Sequence, residues 1–177
     1  MATYHKVGAV ALALVVAMSP AGLERLKSRE ALRTTAYADP YYGWSVATIC
    51  YGRTLNVKQG DTATKQQCEE WLEQDVARHC RLVYDALLGT NIWLTQGEQD
   101  AYCDFAYNLG KFKGTDSVYG RLLAHDDYGA CMGLLRYYFS NGKPSRGLWE
   151  RRYEQYNICI SQLDVRYNPR VTYKGVP

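Results

Sequence analysis

What this chain lacks narrows it first. Histidine is scarce, with three scattered copies in 177 residues, and none of the six cysteines stands in C-x-x-C spacing. No zinc or thioredoxin-type site can be assembled from such a set, so no metal is expected. Helix-turn-helix, zinc-finger and RNA-stacking motifs are absent, as are internal repeats and linkers. An excess of one charge is nearly absent too. The formal net charge of +3 is too small to argue for nucleic acid, though it suits an anionic polymer such as a cell-wall glycan or a membrane surface. The hydrophobic share of 47% against 22% charged excludes a disordered chain and allows one domain with a real core plus a short extension.

One segment lacks charge altogether. Val7 to Leu23, VGAVALALVVAMSPAGL, follows His5-Lys6 and runs 17 residues without an ionisable group, seven of them Ala or Gly. As a helix it spans roughly 25 Å, slightly less than a bilayer's hydrocarbon core. Four readings stand: a signal peptide cleaved after the small residues Ser19-Pro20-Ala21, a permanent anchor, a signal-anchor that inserts and later leaves the bilayer, or a buried core helix. The third has a physical logic. So weakly apolar a helix sits in a shallow free-energy well, and loss of the membrane potential would let it escape. No cysteine precedes Cys50, so thiol exchange with an N-terminal cysteine is excluded and any activation would be topological. Residues 1–26 are therefore read as a signal-anchor segment and 27–177 as the working domain.

Cysteine usage bears on compartment. Cys50, Cys68, Cys80, Cys103, Cys131 and Cys159 are even in number. In a cytosolic protein they would be buried thiols; in an exported one they would form up to three disulfides, with fifteen possible pairings. The N-terminus favours export.

Coarse periodicity predicts a helix over 23–36, which Ser28 could restart as an N-cap, then a turn at Asp39-Pro40-Tyr41-Tyr42-Gly43 and a strand over WSVATICYG, forming a small β-hairpin lobe. Thr64 to Leu88 reads as a long amphipathic helix with Thr64 and Gln67 as a capping box. A helix from Thr95 to Leu109 closes on Gly110. Segments 117–123, 128–139 and 148–163 complete a helical lobe, and the tail after Asp164 looks irregular.

The chemistry concentrates in Ser28 to Thr54, SREALRTTAYADPYYGWSVATICYGRT. It sets Glu30 on the first predicted helix, Asp39 nine residues later beside the Tyr/Gly turn, and Thr48 on the apolar strand ending in Tyr51-Gly52. Two carboxylates and a hydroxyl around such a corner suit hydrolysis of a sugar–sugar bond. One acid protonates the leaving oxygen, while the second carboxylate activates water or stabilises positive charge on the ring. Spacing alone leaves each of the three equally readable as a solvated surface group. Sixteen tyrosines and four tryptophans supply faces that can stack on sugar rings, although most will be core or half-buried.

The whole run resembles the active-site signature of the phage-type lysozymes, the family of the T-even phage lysozyme and of lambdoid-phage endolysins: Glu-Gly-x-Arg-x-x-x-Tyr-x-Asp, a Gly/aromatic turn, then Thr-hydrophobic-x-x-Gly. Two later elements carry the same likeness. Phe105-Ala106-Tyr107-Asn108-Leu109-Gly110 resembles the family's central-helix ending, and Gly147-Leu148-Trp149-Glu150-Arg151-Arg152 with Glu154 resembles its C-terminal Gly-Leu-x-x-Arg-Arg-x-x-Glu element. The resemblance covers about residues 24 to 163 in the right order.

It implies an α+β, mainly helical, two-lobed lysozyme fold and a muramidase that cuts the β-1,4 bond between N-acetylmuramic acid and N-acetylglucosamine in bacterial peptidoglycan, with no cofactor. Glu30 is then the general acid, Asp39 the second carboxylate and Thr48 the holder of the attacking water, a set usually described with inversion at the anomeric carbon. A proton donor needs shielding, and Ala31, Leu32 and Ala36 are its apolar neighbours in sequence. Tyr107 and Asn108 either line the glycan cleft or simply end a helix. Arg151 and Arg152 either hold a carboxylate of the site or pair along a surface helix with Glu154 or Glu150, the surface reading being favoured for Arg151. His79 and His125 are expected to be exposed. Among lambdoid relatives, pairings like Cys50–Cys68 and Cys131–Cys159 occur, which leaves Cys80 with Cys103. The partners implied are peptidoglycan strands and, transiently, the host secretion machinery and inner membrane, with release into the periplasm or secretion after signal cleavage. The protein would act as a monomer in host lysis. A lytic transglycosylase and an inactive, tethered peptidoglycan-binding protein are the alternatives.

Three departures from the family pattern stand out. Ala31 replaces the Gly after the acid. Asp39 and Thr48 are three residues further apart than in the T-even phage enzyme. Arg53 stands where relatives commonly have His, so an interaction built on that imidazole is absent or replaced.

Overall fold

The computed structural model describes the backbone of residues 4–6 and all of residues 18–163. Most of the uncharged run, residues 7–17, and the tail after Asp164 lie outside the described residues, so the membrane readings fall there. Among the described residues no helix is long and apolar enough to cross a membrane.

The first helix, α1 (Pro20–Arg29), starts where Ser19 Oγ accepts the Gly22 N–H and Pro20 occupies the first turn, where its missing N–H costs nothing. It ends at Arg29, seven residues short of the expected Ala36. Glu30 is already extended (φ −88°, ψ 114°), and the β-branched Thr34 and Thr35 belong to a strand, β2 (Arg33–Asp39). Ser28 is no N-cap; it lies inside α1 and its hydroxyl donates to the Arg25 carbonyl. Glu30 is therefore the C-cap residue of α1, at the corner where helix becomes strand.

Strand β2 pairs antiparallel with β3 (Gly43–Cys50), with Tyr37 opposite Thr48, Ala38 opposite Ala47 and Asp39 opposite Gly43. The chain then turns sharply through Cys50 and Gly52, both at positive φ (59° and 91°), and Ile49 and Arg53 exchange two backbone hydrogen bonds. Residues 61–63 return along the other edge of β2, where Ala36 donates to Asp61 and Ala63 to Thr34.

Helix α2 (Lys65–Leu87) opens with the expected Thr64/Gln67 capping box and, at 23 residues, spans about 35 Å. A short strand, β4 (Trp93–Thr95), pairs antiparallel with β1 (Tyr4–Lys6). The central helix α3 (Gln96–Leu109) has a Thr95/Glu98 capping box and ends on Gly110 at φ 73°. Two expected helices come out shorter. Residues 116–123 form one π turn and the three-residue α4 (Arg121–Leu123); α5 (Asp127–Gly133) gives way to a 3₁₀ turn over 134–136. Strands β5 (Phe139–Ser140) and β6 (Lys143–Pro144) follow, joined by Asn141-Gly142 with both residues at positive φ. That is the two-residue hairpin turn those residue types favour. Helix α6 (Arg146–Ile160) closes the described fold, capped by Ser145.

Two cores result. One joins α1, the hairpin and the first part of α2 around Leu26, Ile49, Tyr51, Leu72 and Val76. The other gathers α3, α5, α6 and the end of α2 around Val83, Tyr102, Phe105, Phe112 and Leu134. Helix α2 belongs to both, which holds the β lobe against the helical lobe. Disulfides Cys50–Cys68, Cys80–Cys103 and Cys131–Cys159 are all formed, and no cysteine is free among the described residues. Loops of this size stabilise by about 3 kcal/mol each in the chain-entropy view.

Candidate active site

Four elements meet at Glu30. Helix α1 delivers it at its C-terminus, the end of β3 passes on one side through Gly52, α3 contributes Tyr107, and α6 sends in Arg151. The carboxyl is about three-quarters buried (24% exposed). Its Oε1 accepts from Arg151 Nη1 at 2.8 Å. A side chain at Gly52 would begin 3.8 Å from Oε2, so the second oxygen faces the turn after β3. The expected shielding is only partly present: Ala36 is buried, but Ala31 and Leu32 are exposed, because the chain leaves the helix before they could fold back on Glu30.

Arg151 corrects the favoured surface pairing. It is buried, and it meets neither Glu150, which takes Arg146, nor Glu154, which takes Arg29. Its Nη2 donates to Asp104 Oδ1 at 2.6 Å instead. Burial alone would lower its pKa, but the adjoining Asp104 and Glu30 carboxylates outweigh that and raise it. Arg152 is deeper still. It donates to the Tyr137 carbonyl, the Gln155 amide and Asn108 Oδ1, and lies over the Phe105 ring. Burial pushes its pKa down to about 10, and its cationic neighbours Arg151 and Arg29 act in the same direction. Spacing on α6 concealed all this, since Glu150 and Glu154 are as well placed in sequence for Arg151 as any distant group.

Asp39 sits at the far end of β2, half-buried, its Oδ1 accepting the Tyr41 and Tyr42 N–H groups at 2.8 and 2.9 Å. These bonds fix the turn that displays Tyr41, Tyr42 and Trp44 to solvent. Thr48 is buried in β3, and its hydroxyl donates to the Val46 carbonyl at 3.3 Å. Opposite it in register stands Tyr37, stacked under Arg33. Burial raises the Tyr37 pKa; Arg33 opposes that, and Glu30 and Asp39 add to it. Both carboxylates therefore act on one ring that faces Thr48 across the hairpin.

Tyr107 donates its hydroxyl to the Tyr51 carbonyl at 2.7 Å, tying α3 to the turn after β3. Its pKa is raised by burial and further by Glu30 and Asp75. Asn108 is exposed at the end of α3. His79 is half-buried, not exposed: its ring packs 5.0 Å from Tyr107 and its Nδ1 contacts the Asp75 carbonyl, with burial lowering its pKa. His125 is exposed as expected. Arg53 binds Asp75 of α2. No metal-ligand cluster occurs among the described residues.

The phage lysozyme family model matches residues 27–155, which is most of the described domain. The chain belongs to this family. The SAR-endolysin of Pseudomonas phage phiKMV is 34% identical over 144 residues, covering 79% of this chain and 86% of the relative. The endolysin of Acyrthosiphon pisum secondary endosymbiont phage 1 is 36% identical over 142 residues, covering 76% and 92%. In three dimensions the active form of the P1 phage endolysin superposes with a TM-score of 0.71 at 24% identity, covering 87% of this chain and 90% of that one, and so shows the fold. The lysozyme is a glycoside hydrolase of the peptidoglycan-lysing, endolysin type. The residues that sequence reasoning missed are Arg29, Asp104 and Gln155. Their only signal was a carboxylate set inside the apolar run Cys103-Asp104-Phe105-Ala106.

Proposed function

We propose that this lysozyme cuts the β-1,4 bond between N-acetylmuramic acid and N-acetylglucosamine, with Glu30 as proton donor, Asp39 as the second carboxylate and Thr48 as the group that holds the attacking water. The observation that carries the reading is the placement of Glu30 at a helix-to-strand corner, one oxygen fixed by Arg151 and the other facing the turn after β3. An acid so oriented can donate along one direction, and the hairpin carrying Asp39 and Thr48 supplies the second carboxylate and the hydroxyl that hydrolysis needs. Tyr107, Asn108 and the exposed Tyr41, Tyr42 and Trp44 are the candidates for glycan contact.

Delivery follows from the N-terminus. The uncharged run inserts as a signal-anchor through the host secretion machinery, holds the enzyme on the inner membrane and later leaves the bilayer. The fold supports release over a permanent span. Residues 4–6 precede the run and pair with 93–95, which follow it; a spanning run would keep these two strands on opposite sides of the membrane. Residues 18–23, the end of the run, also belong to the folded domain, with Met18 and Gly22 buried.

The test is Glu30→Gln in the oxidised, full-length protein, with muropeptides analysed by mass spectrometry. Loss of wall solubilisation with reducing, non-anhydro ends from the wild type supports the hydrolase. Undiminished activity of the variant removes Glu30 from the mechanism, and anhydro ends from the wild type convert the reading to a lytic transglycosylase.

A further inference from the structure

Behind Glu30 runs a chain of alternating charge that the reaction itself does not call for: Glu30, Arg151, Asp104, Arg29, Glu154. Asp104 is its centre. The carboxylate is buried on α3, its Oδ1 2.6 Å from Arg151 Nη2 and its Oδ2 2.7 Å from Arg29 Nη1 and 2.6 Å from Gln155 Nε2. Arg29 also reaches Glu154. The Arg151 guanidinium is divided, one terminal nitrogen to Glu30 and the other to Asp104, while its buried Nε has no hydrogen-bond partner. Its orientation therefore rests on those two carboxylates. While Glu30 carries the proton it is to donate it is neutral, and Asp104 is then the charged group that holds Arg151 in place.

On the reading that Glu30 is the proton donor, we infer that Asp104 is a positioning residue of this lysozyme: it keeps Arg151 on Glu30 Oε1 and, by sharing that positive charge, sets the pH range over which Glu30 donates. The electrostatics run in one direction. A cation beside a carboxyl favours its ionised form, and a second carboxylate nearby opposes this. Asp104 thus keeps part of the Arg151 charge from Glu30, and Arg29 in turn keeps part of the Asp104 charge from Arg151. The other groups facing Glu30 are Tyr107 from α3 and Tyr37 from β2, which remain neutral across the working range because both phenols are shifted upward. Those facing Asp104 are Arg29 of α1 and Arg151, Arg152 and Gln155 of α6.

Two substitutions must then move activity in opposite directions along the pH axis. Asp104→Asn leaves Arg151 to act on Glu30 undivided, so the alkaline limb of kcat/KM for peptidoglycan hydrolysis falls by about one pH unit, kcat at neutral pH falls about tenfold and KM stays within a factor of about two. Arg29→Gln returns Asp104 to Arg151 and shifts the same limb upward by about half a unit. A merely structural role would lower the melting temperature and scale activity down with no movement of either limb, and that result overturns the inference. If Asp104→Asn does not fold, the Arg29→Gln profile decides alone: an upward limb supports the inference and an unmoved one ends it. Glu30→Gln is run alongside. Full activity in that variant would refute the proton-donor reading, whereas an inactive Glu30→Gln with unmoved limbs in the other two would refute only the role of Asp104.

Discussion

Arg53 binds Asp75 with 3.0 Å between Nη1 and Oδ1, clamping the turn after β3 to the middle of α2. Both side chains are largely buried, and Arg53 also lies over the Trp71 ring. Arg53→Ala should cost about 2 kcal/mol, less than for a fully isolated buried pair because Arg78 still reaches Asp75. Arg53→His should restore part of that only in acid. Beside Asp75 the imidazole pKa would be raised, so its contribution is complete below the unfolded-state value near 6.5 and is lost as pH climbs through the folded-state value. Thermal melts of both variants at pH 5 and pH 8 read this directly.

Glu98 gives a second pH dependence, with no part in catalysis. It is fully buried at the start of α3, its Oε2 accepting from the Thr95 N–H and hydroxyl while Oε1 has no partner. Burial pushes its pKa up to about 7, the Thr95 backbone donor opposing this and Asp127 adding to it. The folded state therefore binds more protons than the unfolded one between pH 4.5 and 7. The stability contributed by the neutral form is complete below pH 4.5 and disappears as pH rises through 7, a loss of about 2 to 3 kcal/mol. Glu98→Gln, which keeps an acceptor for Thr95, should flatten the stability curve over that window. Denaturant titrations at pH 5 and pH 8 would show an unchanged slope in the variant if Glu98 is not responsible.

How much of this was legible follows from where each signal lives. Local chemistry was readable: Thr64 with Gln67 and the closing Gly110 are capping patterns complete within a few residues, and both formed. The first helix was over-extended because Leu23 to Ala36 keeps a helical period across a point where pairing with β3 prevails. Asn141-Gly142 lies just past the segment read as a helix over 128–139, and the 3₁₀ turn at 134–136 and the strand at Phe139-Ser140 take the last residues of that segment, which shortens the helix to α5. The family pattern picked out Glu30, Asp39 and Thr48, which stand at the end of α1, at the far end of β2 and on β3 opposite Tyr37. The partners of Glu30 were not readable, because Arg151 lies 121 residues away and its nearer neighbours in sequence offered an equally good pairing.

The close approach of α3 to α6, which brings Asp104 to Arg151, depends on Gly97. A β-carbon there would lie 2.4 Å from the Ile158 carbonyl oxygen and 3.2 Å from Ser161 Oγ. The first contact is backbone and cannot rotate away. Gly97→Ala should therefore destabilise by about 2 kcal/mol or more despite alanine's better helix propensity. It should also reduce activity by spreading the helices that carry the charge chain. An equal or higher melting temperature would mean that the two helices separate at no cost.

The Cys50–Cys68 disulfide fixes the end of β3, two residues from Thr48, to the first turn of α2. Replacing both cysteines by serine should lower stability by about 3 kcal/mol and activity by more than the Cys131–Cys159 double replacement, which lies in the helical lobe away from the hairpin. Equal losses of activity at equal stability would remove any special link between this staple and the site. The comparison needs both pairs of variants assayed at a temperature where each is folded.

The boundary between delivery segment and enzyme can be tested by truncation, since the sequence-based division after residue 26 passes through α1. Ser19 caps that helix and also binds Asp100, its N–H to Oδ1 at 2.7 Å and its hydroxyl to Oδ2 at 2.5 Å. Arg25 reaches the same carboxylate at 3.3 Å, and Leu26 is 1% exposed in the core shared with the hairpin. Removing residues 1–17 leaves all of these in place. Removing residues 1–26 takes away the cap, worth about 1 kcal/mol, the Leu26 side chain, worth about 2 to 5 kcal/mol, and three of the groups that satisfy buried Asp100, the Ser19 N–H and hydroxyl and the Arg25 guanidinium. The 18–177 chain should therefore melt within a few degrees of the full-length protein and keep its activity on isolated walls. The 27–177 chain should lose at least about 4 kcal/mol and with it the geometry at Glu30, which would then follow a broken helix. Equal melting temperatures for the two truncations would show that α1 contributes nothing to holding its own C-terminal carboxyl in place.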